Sequence, residues 1–272
     1  MSLKNVRIGF VGGGAMAEAL LGGLLAAGVP AEQLRAADPD ATRREHLKQR
    51  LAIGTTADNR EAVREADAVV VAVKPAVVPG VLAGLGPDTD GPVWISIAAG
   101  VTLDTLTRGL GGAARVVRAM PNTPALVGAG ATGLCGNERA EAADLALARA
   151  LFESVGVAWQ APDEALLDAV TGLSGSGPAY VFAFLEALIA AGEAQGLPRD
   201  AAENLAFQTV FGAAKLAKES SASPAELRQQ VSSPGGTTLA GLEALQERGW
   251  SDAIAAAVAA ATRRARELGR DA

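Results

Sequence analysis

Short apolar runs alternate with helical patterns over residues 6–159. The run at residues 68–73, Ala-Val-Val-Val-Ala-Val, shows no alternation of apolar and polar positions, which is typical of a strand covered on both faces. Helical patterns lie between several of the runs, for example at residues 17–27, 58–65 and 138–154. This order predicts an α/β fold with a mostly parallel sheet and right-handed crossovers. The predicted strands are residues 6–11, 34–37, 68–73, 93–97, 115–120, 131–135 and 156–159.

Beyond residue 162 the pattern contains helices only. Several helix starts carry initiating residues, such as Ser223-Pro224 and Ser251-Asp252. We therefore predict two domains, an α/β domain over residues 1–162 and an all-helical domain over residues 163–272. The predicted helices of the second domain are residues 163–172, 177–196, 200–219, 224–231, 238–248 and 251–268.

The composition narrows the class of protein. Of the 272 residues, 49% are hydrophobic but only 4% are aromatic, so small residues fill much of the core, which favours closely packed helices over a β-sandwich. The 24 basic and 30 acidic residues give a net charge of −6. An acidic chain without a basic run is a poor candidate for binding nucleic acid or an anionic membrane.

Other features of the sequence concern location. The single cysteine, Cys135, allows no internal disulfide and fits a reducing compartment. The N-terminal sequence lacks the basic flank, apolar stretch and cleavage site of a signal peptide. The most apolar segment, residues 178–191, is about 14 residues long, too short to span a bilayer, and is predicted to be a buried helix. We expect a cytoplasmic protein. With one His and one Cys, no spacing typical of a metal site is found.

Residues 12–17, Gly-Gly-Gly-Ala-Met-Ala, have the form G-x-G-x-x-A between a predicted strand and a predicted helix. Gly12 permits the tight turn, Gly14 lets the backbone approach a pyrophosphate, and the small Ala17 lets helix and strand pack closely. N–H groups at the helix start then face the anion. In this context the motif predicts a Rossmann-like dinucleotide-binding domain. The predicted cofactor contacts in the loop are Gly12, Gly13, Gly14, Ala15 and Met16.

The segment after the second predicted strand bears on which dinucleotide is bound. Asp38 lies where an acidic residue accepts hydrogen bonds from the adenosine ribose, which favours NADH. Arg43 and Arg44 follow shortly and could instead face the 2′-phosphate of NADPH. Asp38-Pro39-Asp40 could also be only a turn and a helix cap. These alternatives leave the choice between NADPH and NADH open.

Five further segments carry recognisable motifs. They are Ala-Val-Lys-Pro at residues 72–75, Ser-Ile-Ala-Ala-Gly-Val-Thr at 96–102, Arg-Ala-Met-Pro-Asn-Thr-Pro at 118–124, Val-Thr-Gly-Leu-Ser-Gly-Ser-Gly-Pro-Ala-Tyr at 170–180 and Val-Ser-Ser-Pro-Gly-Gly-Thr-Thr at 231–238. Together, and in this order, they resemble the pyrroline-5-carboxylate reductase family, which catalyses the last step of proline synthesis. The resemblance covers essentially the whole chain, and its last two segments are the most specific.

The residues themselves are compatible with that resemblance. The first three segments follow the C-terminal ends of predicted parallel strands, the edge where ligands bind in an open α/β sheet. Pro75 sets a turn there, and Lys74 is either a contact to phosphate or ribose or a solvated loop lysine. Asn122 and Thr123 are expected to serve as backbone hydrogen-bond partners rather than in catalysis.

The glycines and hydroxyl residues at 232–238 precede a predicted helix. At a helix start they make a carboxylate site, through backbone N–H groups and the helix dipole. The alternative is a threonine cap on a glycine-rich loop.

For the substrate, the resemblance implies that this loop holds the carboxylate through its amides. The hydroxyl of Thr238 would bond the ring nitrogen, which makes Thr238 the catalytic residue. Gln230 departs from the family, which often has asparagine at that position. The implied substrate contacts are Glu164, Ser174, Ser176, Gly235, Gly236, Thr237 and Thr238.

For the cofactor, NADPH or NADH, the resemblance implies contacts beyond the phosphate loop and Asp38. They are Ile97, Ala98 and Ala99 at the nicotinamide, Asn59 and Lys74 on the adenosine side, and Ala72, Val73 and Pro75 in the segment around Lys74.

The implied reaction is hydride transfer to the C=N carbon of 1-pyrroline-5-carboxylate, which gives L-proline. A cyclic iminium is already electrophilic, so the main tasks of the enzyme are positioning and shielding from water. The only histidine, His46, lies in a polar stretch and is expected at the surface. Carbonyl-reducing dehydrogenases need a Lys or His acid, whereas imine reduction can use a hydroxyl.

Two other functions compete with this interpretation. A 3-hydroxyacid dehydrogenase needs a helical lysine with an asparagine one turn later. Lys215 and Lys218 lie on a helix, but Ser221 and Ala222 occupy the positions where that asparagine would be sought. A cofactor-binding regulator without turnover is the second, and the intact substrate loop argues against it.

The helical half is predicted to bury apolar surface against a second copy of the chain. Tyr180, Phe182, Phe184, Leu185 and Leu188 share one helix and cannot all point into a small monomeric bundle. We expect an intertwined homodimer, which the family suggests is arranged in a ring of dimers. The expected partners are the small-molecule substrate and that second copy, with no nucleic acid and no membrane.

Overall fold

Residues 3–85 and 91–271, which the computed structural model describes, fold into eight strands and twelve α-helices. The strands are β1 (Ile8–Val11), β2 (Leu34–Ala37), β3 (Gly54–Thr56), β4 (Ala68–Val71), β5 (Val93–Ser96), β6 (Arg115–Met120), β7 (Gly130–Gly136) and β8 (Gly156–Gln160). The helices are α1 (Ala15–Ala26), α2 (Ala41–Leu51), α3 (Asn59–Val63), α4 (Val78–Leu85), α5 (Leu103–Gly109), α6 (Ala142–Glu153), α7 (Leu166–Val170), α8 (Gly177–Ala194), α9 (Arg199–Glu219), α10 (Pro224–Gln230), α11 (Thr237–Glu247) and α12 (Trp250–Asp271). A π-helical turn, Thr171–Gly175, separates α7 from α8.

The strands form one sheet in the order β3-β2-β1-β4-β5-β6-β7-β8. Neighbours are parallel except β6 and β7, so β7 and β8 run against the other six strands. The order reverses between β1 and β4, the point at which open α/β sheets bind ligands. The predicted mostly parallel α/β fold is confirmed. Strand β3 is not among the predicted strands, because Gly-Thr-Thr is short and contains no apolar run.

Both faces of the sheet are covered. In β4, Ala68 and Val70 belong to one core, which includes α1 and α6, while Val69 and Val71 belong to another, which includes α4 and α5. All four side chains are buried. This explains why the β4 sequence is apolar at every position.

Contacts within the chain divide it into two compact units, Met1–Ser176 with Val258–Ala272, and Gly177–Ala257. The first unit extends beyond residue 162, because Leu167 of α7 is fully buried in the core on one face of the sheet. The predicted domains, 1–162 and 163–272, remain a prediction.

The second unit is helical and leaves much apolar surface exposed. α8 and α9 pack together, and the rings of Phe184 and Trp250 lie 5.5 Å apart. No residue of α8 is buried, so the prediction of a buried helix at 178–191 is wrong for the single chain. The exposed apolar residues of the unit include Val181, Phe182, Leu205, Phe207, Phe211, Leu216, Val231 and Leu245.

The apolar helical stretch is longer than the sequence analysis predicts. With α7 and the π turn, it covers the 29 residues Leu166–Ala194, with a mean hydropathy of 1.3 in its most apolar window. Among the described residues, this one stretch is long and apolar enough to cross a membrane by length and composition alone, so the expectation that it is too short is wrong. One such helix is weak evidence for a membrane span.

Candidate functional site

The phosphate loop joins β1 to α1 at the point where the strand order reverses. The Gly12 N–H donates to the Ala37 carbonyl at 2.8 Å, and the Ala72 N–H donates to the Val11 carbonyl at 2.8 Å. Gly12 has a φ of +98°, and a Cβ on it would lie 2.7 Å from the Ala72 oxygen. Only glycine suits this turn. The contacts bring Gly12 and the segment that begins at Ala72 to one edge of the sheet, as predicted.

Gly14 faces open space. A Cβ on it would meet no protein atom within 4 Å, so the protein's own packing gives no reason for glycine there. A ligand that lies against the loop does give one. No side chain caps α1, which begins with Ala15 and Met16, so its first N–H groups are left for an anion. Ala17 is fully buried. These residues fit the pyrophosphate of a dinucleotide.

Asp38, just beyond β2, is bound by backbone donors. Its Oδ2 accepts the Gly13 N–H and its Oδ1 accepts the Asp40 N–H, each at 2.9 Å. Asp40 caps α2 with its side chain. Asp38 therefore makes a turn with Asp40, Asp40 caps the helix, and Asp38 also ties β2 to the phosphate loop. The predicted contact of Asp38 with the cofactor ribose stays a prediction. Arg44 donates to the Asp38 carbonyl at 2.8 Å, at the same corner.

Arg43 and His46 converge on Glu18 of α1. Arg43 donates to the Gly13 carbonyl and to Glu18, the latter at 2.5 Å. His46 lies 3.1 Å from Glu18 and its side chain is 45% exposed, so its predicted surface position is confirmed. Burial raises the pKa of Glu18, but the hydrogen bonds from His46 and Arg43 outweigh it and hold that pKa below its ordinary value.

The predicted adenosine-side residues lie beyond β3 and β4. Asn59 is the first residue of α3 and lines a cavity of about 490 Å³ together with Val77 and Val81. Pro75 opens a short 3-10 turn, which confirms the predicted turn. Lys74 is exposed before it, a position that fits both of its alternative roles.

The loop after β5 carries Ile97, Ala98 and Ala99. The Ile97 N–H donates to the Val71 carbonyl at the end of β4, at 3.1 Å. Ala98 is buried, and Ile97 and Ala99 are partly exposed. These residues therefore lie at the same edge of the sheet as the phosphate loop.

Glu164 is held from two sides. Its Oε1 accepts the backbone N–H of Leu103 at 2.8 Å and an Arg118 N–H at 2.7 Å. Leu103 begins α5, so Glu164 is tied to the helix that follows the β5 loop.

Ser174 and Ser176 lie at the π turn. The Ser174 hydroxyl donates to the Val170 carbonyl at 3.0 Å, and the Ser174 carbonyl accepts the Asn122 side-chain amide at 3.0 Å. The side-chain oxygen of Asn122 accepts the Ala131 N–H at 2.9 Å, so its predicted role as a backbone partner is confirmed.

The Gly-Gly-Thr-Thr loop opens α11 in the second unit. Gly235 has a φ of +69°, and Gly236 is the N-cap residue. The helix begins at Thr237, one residue before the predicted start, so a threonine cap is wrong, because glycine has no side chain to cap with. The first N–H groups of α11 therefore have no side-chain cap. Thr238 lies in this first turn and is partly exposed.

The predicted contacts fall into two sets. All cofactor residues, with Glu164, Ser174 and Ser176, lie in the first unit, and residues 235–238 lie in the second. Within the described parts of the chain, no group of three His, Cys, Asp or Glu residues could hold a metal ion.

Known proteins share this architecture over the full chain. A pyrroline-5-carboxylate reductase of Synechocystis is 45% identical over 267 residues, which cover 98% of this chain and 99% of that protein. The chain belongs to the pyrroline-5-carboxylate reductase family. The resemblance seen in the sequence motifs is thereby confirmed.

Two solved structures and two family models agree with this assignment. The pyrroline-5-carboxylate reductase of Coxiella burnetii has a TM-score of 0.92 at 40% identity and covers 97% of this chain and 98% of its own. The Plasmodium falciparum pyrroline carboxylate reductase, solved with NADP bound, has a TM-score of 0.86 at 33% identity, with 98% and 99% covered. The family model for pyrroline-5-carboxylate reductase dimerisation matches residues 164–268, and that for NADP oxidoreductase, coenzyme F420-dependent, matches residues 7–100.

One further residue of the site is not predicted by the sequence pattern. Arg118 is buried, although β6 is otherwise mainly apolar, and it pairs with Glu164. A buried strand that contains an arginine is a signal for a buried ion pair, because a lone charge is too costly to bury. The partner could not be found from sequence, since it lies 46 residues away.

Proposed function

We propose that the protein reduces 1-pyrroline-5-carboxylate to L-proline with NADPH or NADH, the last step of proline biosynthesis. The observation that carries the proposal is the similarity to a pyrroline-5-carboxylate reductase over 98% of this chain. The matched region contains both the open phosphate loop and the uncapped start of α11. The first feature suits a dinucleotide and the second suits a carboxylate.

The chain's own residues divide the work. The N–H groups of Thr237 and Thr238 at the start of α11 hold the substrate carboxylate, and the helix dipole favours its charge. The Gly236 N–H donates to the Ser233 carbonyl at 3.0 Å and so shapes the loop. The Thr238 hydroxyl donates a hydrogen bond to the imine nitrogen and delivers to it the proton that it must take up when the hydride reaches the carbon, and solvent restores the hydroxyl. When bound, the reduced nicotinamide supplies the hydride to the C=N carbon. Ile97, Ala98 and Ala99 position its ring and exclude water from one side.

The corner around Asp38 admits either dinucleotide, and we propose NADPH as the cofactor with NADH as the alternative. Both Asp38 oxygens already accept backbone N–H groups, which lowers their availability to a ribose hydroxyl. Arg44 lies at the same corner and brings positive charge to it. The related Plasmodium falciparum protein binds NADP.

A homodimer formed through the helical unit is the second part of the proposal. Exposed residues such as Phe182 and Phe211 need a cover that the single chain lacks, and the dimerisation model matches this region. A ring of dimers and a cytoplasmic location are proposed with it.

A spectrophotometric assay tests the function. The purified protein is given 1-pyrroline-5-carboxylate with NADPH and, in parallel, with NADH, and absorbance at the nicotinamide band is followed. We expect oxidation of the cofactor and formation of proline, with the lower KM for NADPH. Tight cofactor binding without turnover would instead indicate a regulator.

A further inference from the structure

The buried guanidinium of Arg118 joins two carboxylates in the first unit. One of its nitrogens lies 2.7 Å from Glu164, and another lies 3.7 Å from Asp168 of α7. The Arg118 side chain is only 7% exposed, so water screens these interactions weakly. Asp168 also faces Arg266 of α12 at 4.0 Å. A chain of charges thus runs from Glu164 to α12.

Glu164 connects these charged residues to the loop after β5. The oxygen that accepts the Arg118 N–H also accepts the Leu103 N–H, at the first residue of α5. Thr102 caps the same helix by accepting the Thr105 N–H. The end of the loop at residues 97–102 is therefore set by Glu164.

The same loop rests against the last turns of α12. Gly100 has a φ of +78°, and a Cβ on it would lie 3.0 Å from the Leu268 Cβ. A Cβ on Gly269 would lie 3.4 Å from the Gly100 oxygen. With the Ile97 bond to β4, the loop is held at its start, in its middle and at its end.

We propose that Arg118 and Glu164 are positioning residues that set the loop at 97–102 for the nicotinamide. The proposal rests on the proposed function, which assigns Ile97, Ala98 and Ala99 to that ring. In this role Glu164 acts through Leu103, because its Oε1 is shared by the Leu103 N–H and Arg118. This differs from the direct substrate contact that the family resemblance implies for Glu164. A shift of about 1 Å in such a loop costs up to about a hundredfold in rate, since hydride transfer depends on the distance between donor and acceptor.

Three variants separate this role from others. Glu164→Ala removes the acceptor, and Glu164→Gln keeps an acceptor without charge. Arg118→Lys keeps the charge but loses the planar fork that reaches two carboxylates. Asp163→Asn is the matched control, because Asp163 is the adjacent carboxylate, is exposed, and its side chain accepts only the Ala165 N–H among the hydrogen bonds described.

The experiment combines three readouts on the full chain. Hydrogen exchange of the ligand-free protein is followed peptide by peptide, NADPH binding is titrated by fluorescence, and KM is measured for 1-pyrroline-5-carboxylate. For Glu164→Ala we expect exchange to rise in the peptide over 97–106 alone, NADPH to bind about tenfold more weakly, and the substrate KM to stay within about twofold. Glu164→Gln and Arg118→Lys should lie between this variant and the wild type, and Asp163→Asn should match the wild type.

Two results would overturn the proposal. A raised substrate KM in Glu164→Ala, with NADPH binding and exchange unchanged, would make Glu164 a direct substrate contact. Faster exchange in all peptides alike would reduce the pair to general stability. Failure of the wild-type protein to turn over would refute the proposed function instead, and the exchange data on the ligand-free protein would still report on the loop.

Discussion

Single residues of the chain offer few proton donors for a reacting imine. His46 is paired with Glu18 near the surface, and Lys215 is paired with Glu219 at 2.5 Å on an exposed helix face. Burial raises the pKa of the Cys135 thiol, and the nearby carboxylates of Glu164 and Asp163 raise it further, against the smaller effect of Arg118. His46, Lys215 and Cys135 are therefore poorly suited to act as the acid, and the proposed chemistry relies on the Thr238 hydroxyl instead.

Replacing Thr238 tests that role. Thr238→Ala removes the hydroxyl but leaves every backbone N–H of the loop in place, so kcat should fall about tenfold or more while NADPH affinity changes little. Thr238→Ser restores the hydroxyl and should recover most of the rate. Steady-state kinetics and a binding titration measure the two effects. Wild-type turnover in Thr238→Ala would remove Thr238 from the mechanism.

Glu18 should make stability depend on pH in the acid range. Its folded pKa lies below the ordinary value of 4.5, so its carboxylate stabilises the fold in full above that pH, and the contribution is lost as pH falls through the folded pKa. Glu18→Gln should lower the free energy of unfolding by about 0.5–1 kcal/mol at pH 7. Urea unfolding at pH 7 and at successively lower pH measures the difference, which should shrink in acid. A difference that stays constant with pH would contradict this origin.

Residue types are predictable from sequence where the backbone dictates them. Gly12 could be placed because a left-handed turn after β1 demands glycine. The partners of Asp38 and Arg118 could not, because they depend on long-range contacts that no local pattern records. For Asp38, the sequence predicts the position after the second strand but not the bond that its side chain accepts from the Gly13 N–H.

At the scale of elements, the phosphate loop combines two glycines with different requirements. Gly12 is needed by the fold, because of its positive φ and the nearby Ala72 oxygen. At Gly14 no protein atom lies within 4 Å of where a Cβ would be, so packing does not demand glycine there, and the proposed cofactor contact would account for it. The same substitution at each position can therefore separate the requirement of the fold from that of the cofactor.

Alanine at each position should give opposite results. Gly14→Ala should keep the wild-type Tm but weaken NADPH binding by about tenfold, since the methyl group meets the pyrophosphate. Gly12→Ala should lower the stability itself by about 1–3 kcal/mol, because alanine is strained there. Thermal unfolding without ligand and fluorescence titration measure the pair. Equal loss of Tm in both variants would argue against an open cradle at Gly14.

Element limits were predictable where the pattern is strong. The alternation of apolar runs located seven of the eight described strands, and the helix start at α11 differs by one residue, because Gly236 and not threonine is the N-cap. The exposure of α8 could not be foreseen, because an apolar helix looks the same whether its own chain or another covers it.

The molecule as a whole carries apolar surface that one chain leaves uncovered. In the helical unit, Phe182 of α8 and Phe211 of α9 are 58% and 62% exposed. A patch of this kind on a monomer marks an interaction site. The proposed dimer would bury it.

Charge on that surface should break the dimer. Phe182→Asp and Phe211→Asp should each shift the protein towards monomer at micromolar concentration, because the interface would bury an unpaired carboxylate. Val127→Asp places the same charge on an exposed apolar residue of the first unit and serves as the control. Sedimentation velocity measures all three. A wild-type monomer at that concentration would contradict the proposed assembly.

The uncapped start of α11 has a consequence for how this chain tolerates change. An anchor made of main-chain N–H groups survives almost any exchange of side chains, because every residue except proline carries the same donor. Its weak points are the places where backbone shape depends on residue type, above all Gly235 at a φ of +69°. Sequence drift around Thr237 can therefore leave the proposed carboxylate anchor intact, and the selection of one imine over another must come from side chains rather than from these main-chain donors.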